Sequence, residues 1–143
     1  MPYSTYEQTH SPVVNGGVSG LNAQSGVLLE VISAKTAAYS VLPSDWGKTF
    51  TTRGATASIT FTLPAVSGLT AGVWFRFFNV SAYGMVIASN GSSDNIVSKN
   101  DAGADSITCT TTSLMIGACV RVIWDGTGWL ALNESAGPTY TAA

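Results

Sequence analysis

Ser58-Ile-Thr-Phe-Thr-Leu-Pro64 decides the class of this chain. Apolar and polar residues alternate with a period of two, so Ile59, Phe61 and Leu63 share one face of an extended strand while the threonines take the other. Pro64 ends the strand because it has no amide to donate to a neighbour. Upstream, Thr49-Phe-Thr-Thr52 repeats the alternation and points Phe50 into the same core. Downstream of the loop 65–72, Val73-Trp-Phe-Arg-Phe-Phe-Asn79 is apolar on both sides, with Val73, Phe75 and Phe77 alternating with Trp74, Arg76 and Phe78. A strand apolar on both faces is buried twice. In so small a domain the second cover is expected to be another subunit, which makes Trp74, Arg76 and Phe78 the candidate subunit interface.

Shorter strand signals lie on either side. Val27-Leu-Leu-Glu-Val-Ile-Ser33 and Tyr39-Ser-Val-Leu42 precede the deciding stretch; Met85-Val-Ile-Ala88, Asn95-Ile-Val97, Ser106-Ile-Thr-Cys109 and Ser113-Leu-Met-Ile116 follow it. Val120-Arg-Val-Ile-Trp124 and Trp129-Leu-Ala-Leu132 form the clearest hairpin. Asp125-Gly126 suits a type I′ turn and Gly126-Thr127 a type II′ turn; the latter sets Trp124 opposite Trp129. No segment keeps a helical period. About ten short strands between Gly, Ser, Asn and Pro turns predict an all-β, short-stranded antiparallel β-sandwich or barrel, jelly-roll-like in character. No fixed-period repeat is present, which disfavours propellers and solenoids.

Residues 1–25 show neither period. Pro2, Pro12, Asn15-Gly-Gly17 and Ser19-Gly20 punctuate the segment, while Tyr3, Tyr6, Val13, Val14, Val18 and Leu21 are spaced along it as apolar anchors. The expected organisation is an extended N-terminal arm over 1–25 and a β body over 26–143. The arm lies either on another protein surface or free as a terminus.

Charge is scarce. Of 143 residues, 45% are hydrophobic and only 10% charged, against about 25% charged in an average soluble domain. Such neutral, small-residue surfaces suit packing against other protein better than life as a free monomer. The formal net charge is −2, and the six basic residues are scattered singly, so no nucleic-acid partner is expected. Neither a signal peptide nor an apolar run long enough to span a bilayer is visible, so no membrane association and synthesis in a cytoplasm are expected.

Site chemistry is sparse as well. The sole histidine, His10, sits in the arm, which speaks against an imidazole-based triad. Cys109 and Cys119 lack the close ligand spacing of a zinc site. They are read as two buried free thiols, with a bond between neighbouring strands as the alternative. Asp94, Asp101 and Asp105 flank polar turns without the spacing of a calcium loop. No catalytic residue, cofactor or metal is therefore assigned, and the chain is read as non-enzymatic. Asn79-Val-Ser81, Asn90-Gly-Ser92 and Asn133-Glu-Ser135 are taken as chance matches to the glycosylation acceptor. Of the four tryptophans, Trp46 and Trp74 are assigned to core or interface, and Trp129, beside a turn tip, is the one least expected to be buried.

Leu42-Pro-Ser-Asp-Trp-Gly-Lys-Thr-Phe50, Ile59-Thr-Phe-Thr-Leu-Pro64 and Gly117-Ala-Cys-Val-Arg-Val-Ile-Trp-Asp-Gly-Thr-Gly-Trp129 together resemble a β-module of tailed-bacteriophage proteins. It is similar to capsid decoration (head cement) proteins and to tail-fibre or spike proteins. The resemblance rests on Asp45, Gly47, Lys48, Phe50, Thr62, Leu63, Pro64, Asp125, Gly126, Thr127 and Trp129, which it implies are structural. It implies a virion structural protein on the outer capsid surface, a homo-oligomer with a trimer favoured, whose partner is the major capsid protein. Tyr3, Tyr6, Val13, Val14 and Leu21 are then the expected capsid contacts of the arm. The alternative it implies is a small tail-fibre or tail-tip protein that binds a host receptor or carbohydrate.

Overall fold

Twelve strands and one short 3-10 turn follow one another in the computed structural model, which describes residues 29–91, 93–110, 115–135 and 140–143. The strands are β1 (Val31–Ala34), β2 (Tyr39–Ser40), β3 (Lys48–Thr51), β4 (Ile59–Thr62), β5 (Trp74–Phe78), β6 (Met85–Ala88), β7 (Ile96–Ser98), β8 (Asp101–Ala104), β9 (Ser106–Cys109), β10 (Cys119–Trp124), β11 (Trp129–Asn133) and β12 (Thr141–Ala142). By contact density the chain divides into Met1–Val31 and Ile32–Ala143. The arm assigned to 1–25, with Tyr3, Tyr6, Val13, Val14 and Leu21, lies outside the described residues.

Two sheets form. One has seven strands in the order β1-β3-β5-β10-β11-β7-β8, the other five in the order β12-β9-β6-β4-β2. The fold is all-β, as the alternation predicts. Its sheets are mixed, however, and not antiparallel: β2 and β4, β4 and β6, β3 and β5, and β11 and β7 pair in parallel. From β2 to β6 the chain crosses to the other sheet at every step, so each strand pairs with the next but one. Alternation states which side chains share a face; it is silent on which strand lies alongside and in which direction.

The core draws on both sheets. Phe50 and Phe77 of the larger sheet meet Phe61 of the smaller, with ring centroids 5.8 and 5.0 Å from it, and stack on each other at 5.6 Å. Ile59, Leu63, Met85, Ile87, Ile107, Val120 and Val122 complete it, all at 2% exposure or less. Phe50, Ile59, Phe61 and Leu63 thus share one core, as the sequence pattern requires. Behind them a buried polar knot closes one end: Thr52 Oγ1 donates to Asn79 Oδ1 at 2.5 Å, and Asn79 Nδ2 donates to the Tyr83 carbonyl at 2.9 Å. With its amide so engaged and its side chain fully covered, Asn79 cannot carry a glycan in the folded protein.

The final hairpin adopts the second of the two turns the sequence allows. Gly126 has φ +99°, Asp125 N donates to Gly128 O at 3.2 Å, and Trp124 pairs with Trp129 at a centroid distance of 5.5 Å. A positive φ at the first central residue alone is the type II′ pattern.

Four other expectations change. Trp129 is fully buried, because the residue after the turn re-enters the strand with its ring on the core side. Trp46 is 59% exposed, which removes the core from its two expected environments and leaves the interface. Lys99-Asn-Asp-Ala-Gly103, expected as a polar loop, is a tight turn and strand β8, with Lys99 and Asn100 both left-handed at φ 45° and 61°. Met115 and Ile116 lie in a turn and not a strand, while Ser113 and Leu114 lie outside the described residues. Cys109 and Cys119 sit on strands of different sheets and are not bonded. Burial pushes the Cys109 thiol up to about 11.

Phe61→Ala is expected to lower stability by about 3–5 kcal/mol, since it removes the ring that both Phe50 and Phe77 meet. Urea denaturation followed by tryptophan fluorescence measures the loss; one below about 1 kcal/mol would mean the sheets do not depend on this contact.

Candidate functional site

The motif residues spend their chemistry largely inside the chain. Asp45 closes the 3-10 turn at Pro43–Asp45: its carboxylate accepts from Tyr39 Oη at 2.9 Å, Leu42 N at 3.0 Å and Lys48 Nζ at 2.6 Å. Burial pushes its carboxyl upward, and the Lys48 ammonium, the Leu42 amide and the Tyr39 hydroxyl together outweigh this and hold it below the ordinary carboxylate range. Gly47, at φ +78°, turns the chain into β3 and donates to Trp74 O at 2.8 Å. Asp125 accepts at Oδ1 from the amides of Gly128 and Thr127, both at 2.8 Å, and these bonds lower its pKa. Phe50 and Trp129 are core. These groups build turns and core.

The face of the seven-stranded sheet turned away from the core is different. On β5 the inward positions are Phe75 and Phe77, so Trp74, Arg76 and Phe78 point outward, each partly covered. Registers extend this face across five strands. One row reads Trp74, Ile123, Leu130, Val97, each residue directly opposite the next. The adjacent row reads Thr49, Arg76, Arg121, Leu132, and the third begins Thr51, Phe78, Cys119. The three sequence-assigned interface residues therefore share one surface. Ile123, Leu130, Val97, Leu132 and Arg121 belong to it as well. Alternation along β10 and β11 would have grouped these with one another, but only the register joins them to β5.

Two arginines directly opposite each other are unfavourable on a sheet. Glu134 relieves this: Arg76 Nε donates to Oε2 at 2.7 Å, and Arg121 Nε lies 2.9 Å from Oε1, an ion pair without hydrogen-bond alignment. The Arg76 guanidinium also lies 5.6 Å from the Trp74 ring centre, within cation–π range. All three charged side chains are a quarter to a third exposed. The face is thus an apolar row beside a cationic one, in which Glu134 lies against both arginines.

Among the described residues no three His, Cys, Asp or Glu side chains gather as a metal site. No helix among them is long and apolar enough to cross a membrane. No protein-family model matches the chain, and no curated protein matches it.

Two measurements check this electrostatic picture. Asp45 and Asp125 have folded pKa values below their unfolded ones, so the stability they supply is complete above the unfolded value of about 4 and is lost as pH falls through the folded values. The urea midpoint should hold from pH 7 to about 5 and drop below about 4, with a smaller drop in Asp45→Asn. That variant should itself lose about 1–3 kcal/mol at neutral pH. Glu134→Gln should cost about 0.5–1 kcal/mol at low salt and less at 1 M salt, where screening mutes the exposed arginine pair. A loss independent of salt would assign Glu134 a packing role instead.

Proposed function

We propose that the chain is a non-enzymatic structural protein of a tailed-phage virion, which decorates the outer surface of the icosahedral capsid and stabilises it by clamping neighbouring capsid subunits. The observation that carries this reading is the outward face of the larger sheet, where Trp74, Phe78, Ile123, Leu130 and Leu132 present apolar surface around Arg76 and Arg121. Half-buried apolar surface of this kind, with arginine and tryptophan among it and Leu132 exposed at its margin, has the composition of protein interfaces. The module's recognisable residues, in turn, are occupied in turns and core, which suits a scaffold that acts by docking. In this reading the two sheets face each other as an open β-sandwich, the major capsid protein is the partner, and copies associate as a homo-oligomer, a trimer by the resemblance. Residues 1–25 reach over the capsid surface through Tyr3, Tyr6, Val13, Val14 and Leu21. Nucleic acid and membrane play no part.

Clamping follows from mass action. A protein that binds the expanded shell and not free subunits stabilises the shell in proportion to its occupancy, and several contacts per oligomer raise the effective affinity.

One observation favours the second reading, a tail-fibre or tail-tip protein that binds a host receptor or carbohydrate. Trp46 is 59% exposed beside Leu42 at 52%, on the 3-10 turn, and an exposed indole is a stacking surface for a sugar ring.

Cosedimentation of the purified protein with expanded, undecorated capsids separates the two. Saturable binding to capsids at a ratio matching a symmetry position is the expected result. Binding restricted to tails or host cells, and lost in Trp46→Ala, would replace the capsid role with receptor recognition.

A further inference from the structure

We propose that β9, together with Ser98 and Lys99, forms a recognition site for an extended Tyr-Thr-Ala-Ala segment, and that in the oligomer Tyr140–Ala143 of a second copy fills it. The proposal rests on the homo-oligomer reading above and names the segment that joins the copies.

Tyr140–Ala143 is held as a bound peptide is held. Thr141 lies opposite Thr108 and Ala142 opposite Ile107, so the segment adds a short strand to one edge of the smaller sheet. The pairing continues past it. Asp105 N and Ser106 N donate to Ala143 O at 2.6 and 2.9 Å, and Ala143 N donates to Ser106 O at 3.0 Å. Two successive amides that converge on one oxygen form a nest for an acceptor. Selectivity comes from the side chain that enters the core. Tyr140 is 5% exposed; its hydroxyl accepts from the buried Ser98 Oγ at 2.7 Å and donates to Ala131 O at 3.4 Å. Lys99 Nζ donates to Tyr140 O at 2.5 Å and lies 4.5 Å from the ring centre. Main-chain pairing for affinity, with a seated side chain for specificity, is how sheet edges take up peptides.

The length of chain that leads into the segment argues for a second copy as its source. These partners lie at positions 98–108 and at 131, so the site is complete without the residues that tether its occupant. Ser135 is fixed at the far end of the larger sheet, where its Oγ accepts from Cys119 N at 3.0 Å. Tyr140 instead reaches back to Ala131 and opens the edge strand of the smaller sheet. Residues 136–139, with Gly137 and Pro138 among them, are all that separates these two points. A short connection that must change sheets favours exchange: the chain runs on to a neighbour, and the segment makes the same contacts there. Each copy then gives one segment and receives one. The exchange closes reciprocally between two copies or around a ring.

Disulfide trapping reads which copy supplies the segment. Thr108 and Thr141 are direct opposites on an antiparallel pair, where Cα atoms about 4.5–5.5 Å apart are within disulfide reach. Cys109 and Cys119 are buried and unbonded, which leaves thiols placed at 108 and 141 as the reactive pair. The full-length double variant Thr108→Cys with Thr141→Cys is refolded from urea at high protein concentration and oxidised with glutathione disulfide. It is expected to run as a covalent dimer or trimer on a non-reducing gel, the number of copies reporting how the exchange closes. Equal amounts of the two single variants, refolded together, should give a linked pair that neither gives alone. Should the double variant misfold, that mixture carries the test. Four residues inserted after Gly137 should return the double variant to a linked monomer, because the segment then reaches its own site.

Sedimentation velocity of the wild type, run alongside, separates the failure of the proposal from that of the reading beneath it. A wild-type oligomer whose double variant links only within one copy keeps the homo-oligomer and removes the exchange. A mixture of single variants without a linked pair removes it as well. A double variant that folds but forms no bond takes Tyr140–Ala143 out of the site altogether. A wild-type monomer at the highest attainable concentration overturns both.

Discussion

Phe50, Phe61 and Phe77 impose the constraint on which the rest of the molecule depends. Phe50 and Phe77 lie opposite each other on parallel neighbours of the larger sheet, and Phe61 meets both from the smaller one. A chain that changes sheet at each step from β2 to β6 gains little from local hydrogen bonding, since every ladder it joins is closed by residues well removed in sequence. Long-range ladders repay the entropy of closing the intervening loops only when apolar surface is buried at the same time. Three rings that meet across the two sheets supply that burial at the strands that cross. Their interplanar angles of 18° to 45° are the offset and tilted arrangements aromatic quadrupoles favour.

That constraint also explains which parts of the structure were legible in the sequence. The strand at 59–62 and its inward residues follow from alternation alone, because both faces of β4 differ in polarity. The turn at Gly126-Thr127 follows from glycine's freedom at positive φ, and it determines the pairing of Trp124 with Trp129. Parallel pairing of β2, β4 and β6 does not follow, since a strand's residues are the same whichever way its neighbour runs. β8 was hidden for a related reason. Asp-Ala-Gly-Ala has almost no strand propensity, and β7 supplies the pairing that a preference in Asp101–Ala104 does not. Trp129 lies in the core and Trp46 outside it because distance from a turn in sequence does not report the side of the sheet on which a ring emerges.

The candidate site was half legible. Trp74, Arg76 and Phe78 stand out because alternation on β5 leaves an apolar set with nowhere to go inside. Arg121 carries no such mark: it sits singly in an ordinary strand, and only the register that places it opposite Arg76 makes it part of the same surface. Glu134 is less visible still, since its role depends on the end of β11 lying beside two other strands.

The division of labour between motif and face bears on how function is read from such a chain. Asp45, Gly47, Asp125 and Gly126 are among the residues that carry the resemblance, and each solves a local problem: an amide that needs an acceptor, a left-handed turn, or an ammonium that needs a counter-charge. These problems recur wherever the same turns occur, so the motif travels with the scaffold and says little about its use. The outward face has the reverse character. Nothing in folding requires two arginines opposite each other, and Glu134 reaches both. A chain with six basic residues that places two of them side by side on an apolar surface has accepted a local electrostatic cost there. In a fold otherwise sparing of charge, that cost singles out the surface on which the proposed docking role rests.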